Sequence, residues 1–249
     1  MAGHSKWAQI KRKKAVTDAR RGQLFTKLLK EISVAARLGG GDPNGNARLR
    51  TAVQEARSAN VPNDNIERAI RRGTGDLEGV NYEDVVYEGY AAGGVAVLIE
   101  AVTDNRNRTV AELRHLLSKN GGNLGESGCV AWMFDQRGSF VFDPGTVSEE
   151  HFMEAAIELD VEDVATGEDG FEIFTAPERF AEVREGLERL GLAPATQQLA
   201  RIPQSTVQVG VDKAPQVIRL MESLEEQEDV QNVWANFDID DELLAAQAS

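Results

Sequence analysis

The apolar residues of this chain change their spacing near residue 80, and that change limits the fold more than any single motif does. Before it they recur every three or four residues. Phe25, Leu28, Leu29, Ile32 and Ala36 fall on one face of a segment predicted to be helical over 23–38, with Lys27, Lys30 and Arg37 elsewhere on it. Gly39-Gly40-Gly41-Asp42-Pro43 ends that helix. A second helix is predicted over 44–59, with Leu49, Val53 and Ala56 inward and Arg48, Arg50 and Arg57 outward, until Asn60-Val61-Pro62 breaks it. A third, shorter helix buries Ile66, Ala69 and Ile70, exposes Arg68, Arg71 and Arg72, and stops at Gly73. Three helices joined by short turns make a small bundle within residues 1–80, and residues 74–81 read as a linker.

Beyond the linker, β-branched and aromatic runs take over. Residues 82–90 and 95–103 flank Ala91-Ala92-Gly93-Gly94 and read as a hairpin. A helix over about 106–120 leads through Gly121-Gly122 to a strand at 130–134. Residues 139–202 then alternate as β-α-β-β-α-β, the ferredoxin-like order. The remainder (a strand at 206–209, a helix over 213–226 and a strand at 230–237) cannot close a sheet alone but can when added to residues 82–135. The expected fold is therefore multi-domain, α and α+β. A basic helical bundle (1–80) precedes a discontinuous α+β domain (82–135 plus 205–240), and a ferredoxin-like α+β domain (136–204) is inserted in it.

Charge divides the chain at the same place. Residues 1–80 hold 16 Lys/Arg against 8 Asp/Glu, and the remaining 169 hold 11 against 33, which is +8 and −22 within a total of −14. An acidic average thus conceals a basic module, the footprint of a phosphate binder. The strongest run lies in residues 4–22, where Lys6, Lys11, Arg12, Lys13, Lys14, Arg20 and Arg21 face only Asp18. These side chains can neutralise phosphates and release counterions, and Trp7 can stack on an unpaired base. A solvated charge run with Trp7 packed on the bundle is the plainer alternative. Lys27 widens the candidate patch, and Arg48, Arg50, Arg57, Arg68, Arg71 and Arg72 extend it across the second and third helices, with ordinary exposed helix arginines as the alternative. Arg106 and Arg108 sit where a strand gives way to a helix, in Thr103-Asp104-Asn105-Arg106-Asn107-Arg108-Thr109. There Asp104 or Asn105 can cap the helix and the arginines can meet phosphate. The glycine-rich stretch 121–128 lacks the Gly-Lys-Ser/Thr ending of a phosphate loop and reads equally well as a helix-to-strand turn.

Motifs of catalysis do not appear. His4, His115 and His151 are scattered and share no metal-ligand spacing with Cys129, and no Gly-x-Ser-x-Gly nucleophile turn is present. No enzyme activity, cofactor, metal or small-molecule substrate is expected. The acidic group Glu222, Glu225, Glu226, Glu228 and Asp229 reads as a solvated helix end. A single cysteine points to a reducing compartment, and no apolar run approaches the roughly 20 residues of a bilayer span. With no signal-like apolar stretch near Met1, the expected location is cytoplasmic.

Several unusual stretches carry a resemblance. Ala-Gly-His-Ser-Lys-Trp-Ala-Gln-Ile-Lys at 2–11 and Arg-Gly-Gln-Leu-Phe-Thr-Lys-Leu at 21–28 closely resemble the opening of the YebC/PmpR family. Val61-Pro62-Asn63-Asp64-Asn65-Ile66, Tyr87-Glu88-Gly89-Tyr90, the 103–109 run, Asn120-Gly121-Gly122-Asn123-Leu124-Gly125, Val130-Ala131-Trp132-Met133-Phe134 and Ala235-Asn236-Phe237 continue it in order. The resemblance implies a helical bundle with two α+β domains and a role in gene expression. Members are DNA-binding transcriptional regulators or ribosome-associated factors that relieve stalling on proline runs, and a mitochondrial relative activates translation. It therefore implies promoter DNA or ribosomal RNA, and with the latter the ribosome, as partner. Two departures stand out: Arg12 replaces a frequent His, and Ala91-Ala92 replaces a common Gly-Pro.

Overall fold

In the structure, a computed structural model, residues 18–167 and 170–240 are described, apart from the side chains of 18–20. Helices α1 (Asp18–Gly39), α2 (Ala47–Ser58) and α3 (Asn63–Thr74) form the bundle. Their apolar stripes meet in one core of Ile32, Ala35, Ala36, Leu49, Val53, Ala56, Ile66 and Ala69. The turn into α2 is held by Asn46. Its Oδ1 accepts from Leu49 N–H at 3.1 Å, and its Nδ2 donates to the carbonyls of Ala35 and Gly40 at 2.7 and 2.9 Å. Helices α1 and α3 approach so closely that a Cβ on Gly73 would stand 2.3 Å from the Ser33 carbonyl oxygen. Only glycine permits that crossing.

The next strands build a four-stranded sheet in the order β3-β1-β2-β9. They are β1 (Glu83–Tyr90), β2 (Ala96–Thr103), β3 (Asn123–Leu124) and β9 (Val230–Ala235). Central β2 reads as a nearly continuous apolar run because both its faces are covered. Val97, Ile99 and Ala101 pack under α4 (Arg106–Lys119) and α7 (Ala214–Glu226) beside Leu113, Leu117, Val217 and Met221. Ala96 and Leu98 face the other way, onto Trp234 and Val130. A parallel pair, β8 (Val207–Gln208) with β10 (Phe237–Asp238), flanks the return. Asn236 seals it: its Oδ1 accepts from Ala96 N–H at 2.7 Å, and its own N–H donates to the Ala96 carbonyl at 3.2 Å.

Between leaving and rejoining that sheet, the chain forms a second one in the order β5-β6-β4-β7, antiparallel throughout. It comprises β4 (Phe134–Phe142), β5 (Asp163–Gly167), β6 (Gly170–Thr175) and β7 (Thr196–Pro203), with α5 (Glu149–Glu158) and α6 (Phe180–Arg189) as crossovers. That order and connectivity are ferredoxin-like. An aromatic core lies under the two helices: Phe140 stacks on Phe180 at 4.9 Å and Phe152 on Phe171 at 4.8 Å between ring centroids. The two sheets meet where Phe134 and Ala200 pack on Ala96, Leu98 and Trp234.

One predicted strand is absent. Residues 130–134 do not pair as a strand; Ala131–Met133 is a single 3₁₀ turn, and Phe134 is the first residue of β4. The β-branched and aromatic composition misled because a distant carboxylate, Glu88, captures the backbone that strand pairing would have needed.

Candidate nucleic-acid interface

The candidate residues Lys6, Trp7, Lys11, Arg12, Lys13 and Lys14, and the side chain of Arg20, lie outside the described residues. Arg21, at the start of the described part of α1, is exposed. The remaining candidates divide into two groups with different surroundings.

The first group lies where the bundle meets the first sheet, around Asp229. This carboxylate follows α7 and is about 1% exposed, so it is not the solvated helix end that its acidic neighbours suggest. Lys30, 5% exposed, reaches it from α1 at 2.9 Å and also donates to the Glu228 carbonyl at 3.3 Å. Arg108 Nη2 donates to the other oxygen at 2.8 Å, and Thr109 Oγ1 does so at 2.9 Å. Burial would raise the Asp229 carboxyl, but the hydrogen bonds from Arg108, Lys30 and Thr109 and the Lys30 charge outweigh it and hold it down at about 2. Lys27, one helical turn before Lys30, is half-buried and donates to the Glu225 carbonyl at 2.6 Å. Thus the periodicity that placed Lys27 and Lys30 off the bundle's own core placed them against the neighbouring domain instead.

The same region engages the two arginines of the 103–109 run. Asn105 Oδ1 caps α4 by accepting from Arg108 N–H at 3.1 Å. Arg106 donates to Glu83 at 2.7 Å, and Arg108 also holds Asp104 at 2.8 Å. Arg48, from α2, forms a fork with Glu31 and Asp84, at 2.6 and 3.0 Å to the first and 2.8 and 2.9 Å to the second. The two carboxylates raise the Arg48 guanidinium further above its ordinary value through hydrogen bonds and charge, against the opposing effect of burial. These cations tie elements together.

The second group is on α3. Arg68, Arg71 and Arg72 stand three and four residues apart on its outer surface, all exposed, and none has an acidic partner among the described residues. The helix ends at Gly75 in the left-handed conformation (φ 86°), and Thr74 Oγ1 donates to Asp76 at 2.6 Å. Three guanidinium groups on one helical turn, with no acidic partner among the described residues, suit a row of phosphates.

The glycine-rich stretch is a packing device. A Cβ on Gly122 would lie 2.4 Å from the Tyr90 carbonyl oxygen, one on Gly125 would lie 2.5 Å from Cys129 Sγ, and one on Gly89 would lie 2.6 Å from the Asn123 carbonyl oxygen. Beside it, the buried Glu88 carboxylate accepts from three backbone N–H groups: Gly128 at 2.6 Å, and Val130 and Ala131 at 2.7 Å each. Burial would raise its carboxyl, yet the three hydrogen bonds bring it below the usual range. The motifs Tyr87–Tyr90, Asn120–Gly125 and Val130–Phe134 therefore form one assembly. Its key contact joins residues about 40 apart in sequence, beyond the reach of any local pattern. Among the described residues, no group of His, Cys, Asp and Glu could hold a metal ion, and no helix is long and apolar enough to cross a membrane.

Comparison with known proteins adds the family. The model of the TACO1/YebC protein N-terminal domain matches residues 5–76, and that of the TACO1/YebC second and third domain matches residues 82–237. Proteins named "probable transcriptional regulatory protein" from Syntrophobacter fumaroxidans and Natranaerobius thermophilus are each 54% identical to the chain. The first alignment covers 98% of both chains, the second 98% of this chain and 99% of the relative. The crystal structure of a conserved hypothetical protein from Aquifex aeolicus superposes with a TM-score of 0.88 at 53% identity, covering 96% of this chain and 99% of that one. The bundle, the split sheet and the inserted ferredoxin-like unit thus have a common origin with these proteins: the chain belongs to the TACO1/YebC family.

Proposed function

We propose that this protein is a nucleic-acid-binding regulator of gene expression, a transcriptional regulator in the sense of its relatives' names, rather than an enzyme. The observation that carries the reading is the contrast among its cations. Lys27, Lys30, Arg48, Arg106 and Arg108 are engaged within the fold, while Arg68, Arg71 and Arg72 project from α3 with no acidic partner among the described residues. Together with the basic sequence at Lys6–Arg21, α3 supplies the sequence-independent phosphate affinity on which specific recognition is built. Arg106 and Arg108 are reserve contacts, each of which would have to leave a carboxylate to reach a phosphate. Such a protein works in the cytoplasm, where its nucleic acid is found. For the fold we propose the division 1–80, 82–135 plus 205–240, and 136–204, supported by the two separate sheets.

A second reading, a factor acting on ribosomal RNA within the ribosome, is favoured by the acidic remainder of the chain, −22 over residues 81–249. That charge repels bare duplex and suits a partner offering both RNA and basic protein. Salt-titrated binding to promoter duplex and to purified ribosomes separates the two. Sequence-indifferent duplex binding beside tight ribosome binding at physiological salt defeats the transcriptional reading. Charge reversal of Lys11, Arg12, Lys13 and Lys14 should weaken either mode and flatten the salt slope, and unchanged affinity removes these residues from the interface.

A further inference from the structure

The junction between the bundle and the first α+β domain is one-sided in charge. Among the described residues, every ion pair that bridges it takes its cation from the bundle and its anion from the other side. Lys30 meets Asp229 at 2.9 Å and Glu228 at 3.4 Å, and Arg48 forks onto Asp84 at 2.8 and 2.9 Å. Lys27 adds its bond to the Glu225 carbonyl at 2.6 Å. Apolar packing contributes little beside these contacts. The core of the bundle and the core of the first sheet share no residue, whereas Phe134, Ala200, Ala96, Leu98 and Trp234 join the two sheets. On α1 and on β2, which it lies against, the only buried apolar side chains outside a core are Val34 and Val102.

Such a junction can part without stranding a charge. Asp229 keeps Arg108 and Thr109 in its own domain, at 2.8 and 2.9 Å, and Arg48 keeps Glu31 in the bundle, at 2.6 and 3.0 Å. Lys30 passes into water and regains the hydration that burial denied it. Residues 75–82, between α3 and β1, form no helix or strand and are mostly exposed. Eight residues reach roughly 26–29 Å when extended, far more than is needed to separate contacts of this length. We propose that the junction is a latch opened by the phosphate backbone of nucleic acid, which takes Lys27, Lys30 and Arg48 from their acidic and carbonyl partners. Arg48 and Asp84, each 41% exposed, give a phosphate its first hold. While the latch is closed, the acidic domain stands in for phosphate and covers part of the bundle's basic surface. The proposal rests on the nucleic-acid-binding reading and adds a change of shape to it: the ligand must hold the open form better than the closed one.

The test uses the full chain with Glu67→Cys on α3 and Ser118→Cys on α4, both exposed positions, and with Cys129→Ser. The two cysteines carry a fluorescence energy-transfer pair. At low salt the chain is titrated with a mixed-sequence DNA duplex and, separately, with purified ribosomal RNA, and binding is followed by sedimentation. Transfer efficiency should fall in step with binding of the probe that binds. Charge reversal by Asp84→Lys with Glu228→Lys should lower the efficiency with no nucleic acid present and leave the circular dichroism unchanged. An equal change of charge outside the junction, Glu150→Lys with Glu154→Lys on α5, should leave the efficiency where it was. A bound probe with unchanged transfer, or a junction variant that stays closed, overturns the latch and leaves the proposed function standing. Absence of binding to either probe overturns both.

Discussion

The junction around Asp229 and the outer surface of α3 are built from the same kinds of residue and use them in opposite ways. At the junction four cations each have an anion: Lys30 with Asp229, Arg108 with Asp229 and Asp104, Arg48 with Glu31 and Asp84, Arg106 with Glu83. On α3, Arg68, Arg71 and Arg72 have none among the described residues. A positive charge in a sequence is thus either a fastening or an offer, and only its surroundings tell which. The test of the distinction is that junction changes should register in stability, and α3 changes in binding.

The largest expected effect is at the junction. Asp229→Ala leaves buried Lys30 with only the exposed Glu228 carboxylate, at 3.4 Å, and the Glu228 carbonyl as partners, and should cost about 3–5 kcal/mol in denaturant unfolding; a loss below about 1 kcal/mol would mean that Glu228 suffices. Glu88→Ala leaves three backbone N–H groups without their acceptor and should cost about 3 kcal/mol. The amides of Gly128, Val130 and Ala131 should then exchange much faster with solvent, and unchanged protection would show that the turn holds without the carboxylate. Acid comes next. The Asp229 carboxyl sits at about 2, below its ordinary 3.8. Its contribution, about 2 kcal/mol, is therefore complete above pH 4 and drains away as pH falls toward 2. Asp229→Asn should remove that share of the acid dependence, which parallel unfolding curves across this range would reveal. The smallest effect on stability belongs to α3. The triple change Arg68→Glu, Arg71→Glu, Arg72→Glu should move unfolding by less than about 0.5 kcal/mol while weakening nucleic-acid binding and lowering the salt slope by about 0.9 per lost phosphate contact. The reverse outcome, a destabilised bundle with unchanged binding, would erase the contrast.

Much of this architecture was legible in the amino-acid order. The three-four spacing of Phe25, Leu28, Leu29, Ile32 and Ala36 located α1, and the β-α-β-β-α-β order of the inserted unit read directly as ferredoxin-like. What escaped depends on contacts between distant residues. Lys30 looked like any polar-face lysine, and its burial requires an aspartate 199 positions away. Asp229 was hidden among glutamates, of which Glu226 and Glu228 are exposed and Glu222 and Glu225 half-buried. The run from Val130 to Phe134 had strand composition, but Glu88, some 40 residues earlier, takes its N–H groups. Arg106 and Arg108 were legible as cations beside a helix start, whereas their occupation by Glu83, Asp104 and Asp229 was not.

The split sheet also sets an order of events during synthesis. Ala96, at the start of β2, finds its partner Asn236 only 140 residues later. At roughly 5–20 residues per second, a ribosome needs about 7 to 28 seconds to deliver that partner. Throughout that interval one edge of β2 lacks its neighbour β9, while the inserted unit, whose strands β4 to β7 all pair with one another, emerges complete and can fold first. A nascent chain halted shortly after Pro203 clears the exit should therefore resist protease in its inserted unit while residues 82–124 are still cut. The piece inserted into the middle of the fold would be the first of the two α+β units to finish, and the strand that completes the earlier sheet would be among the last to arrive.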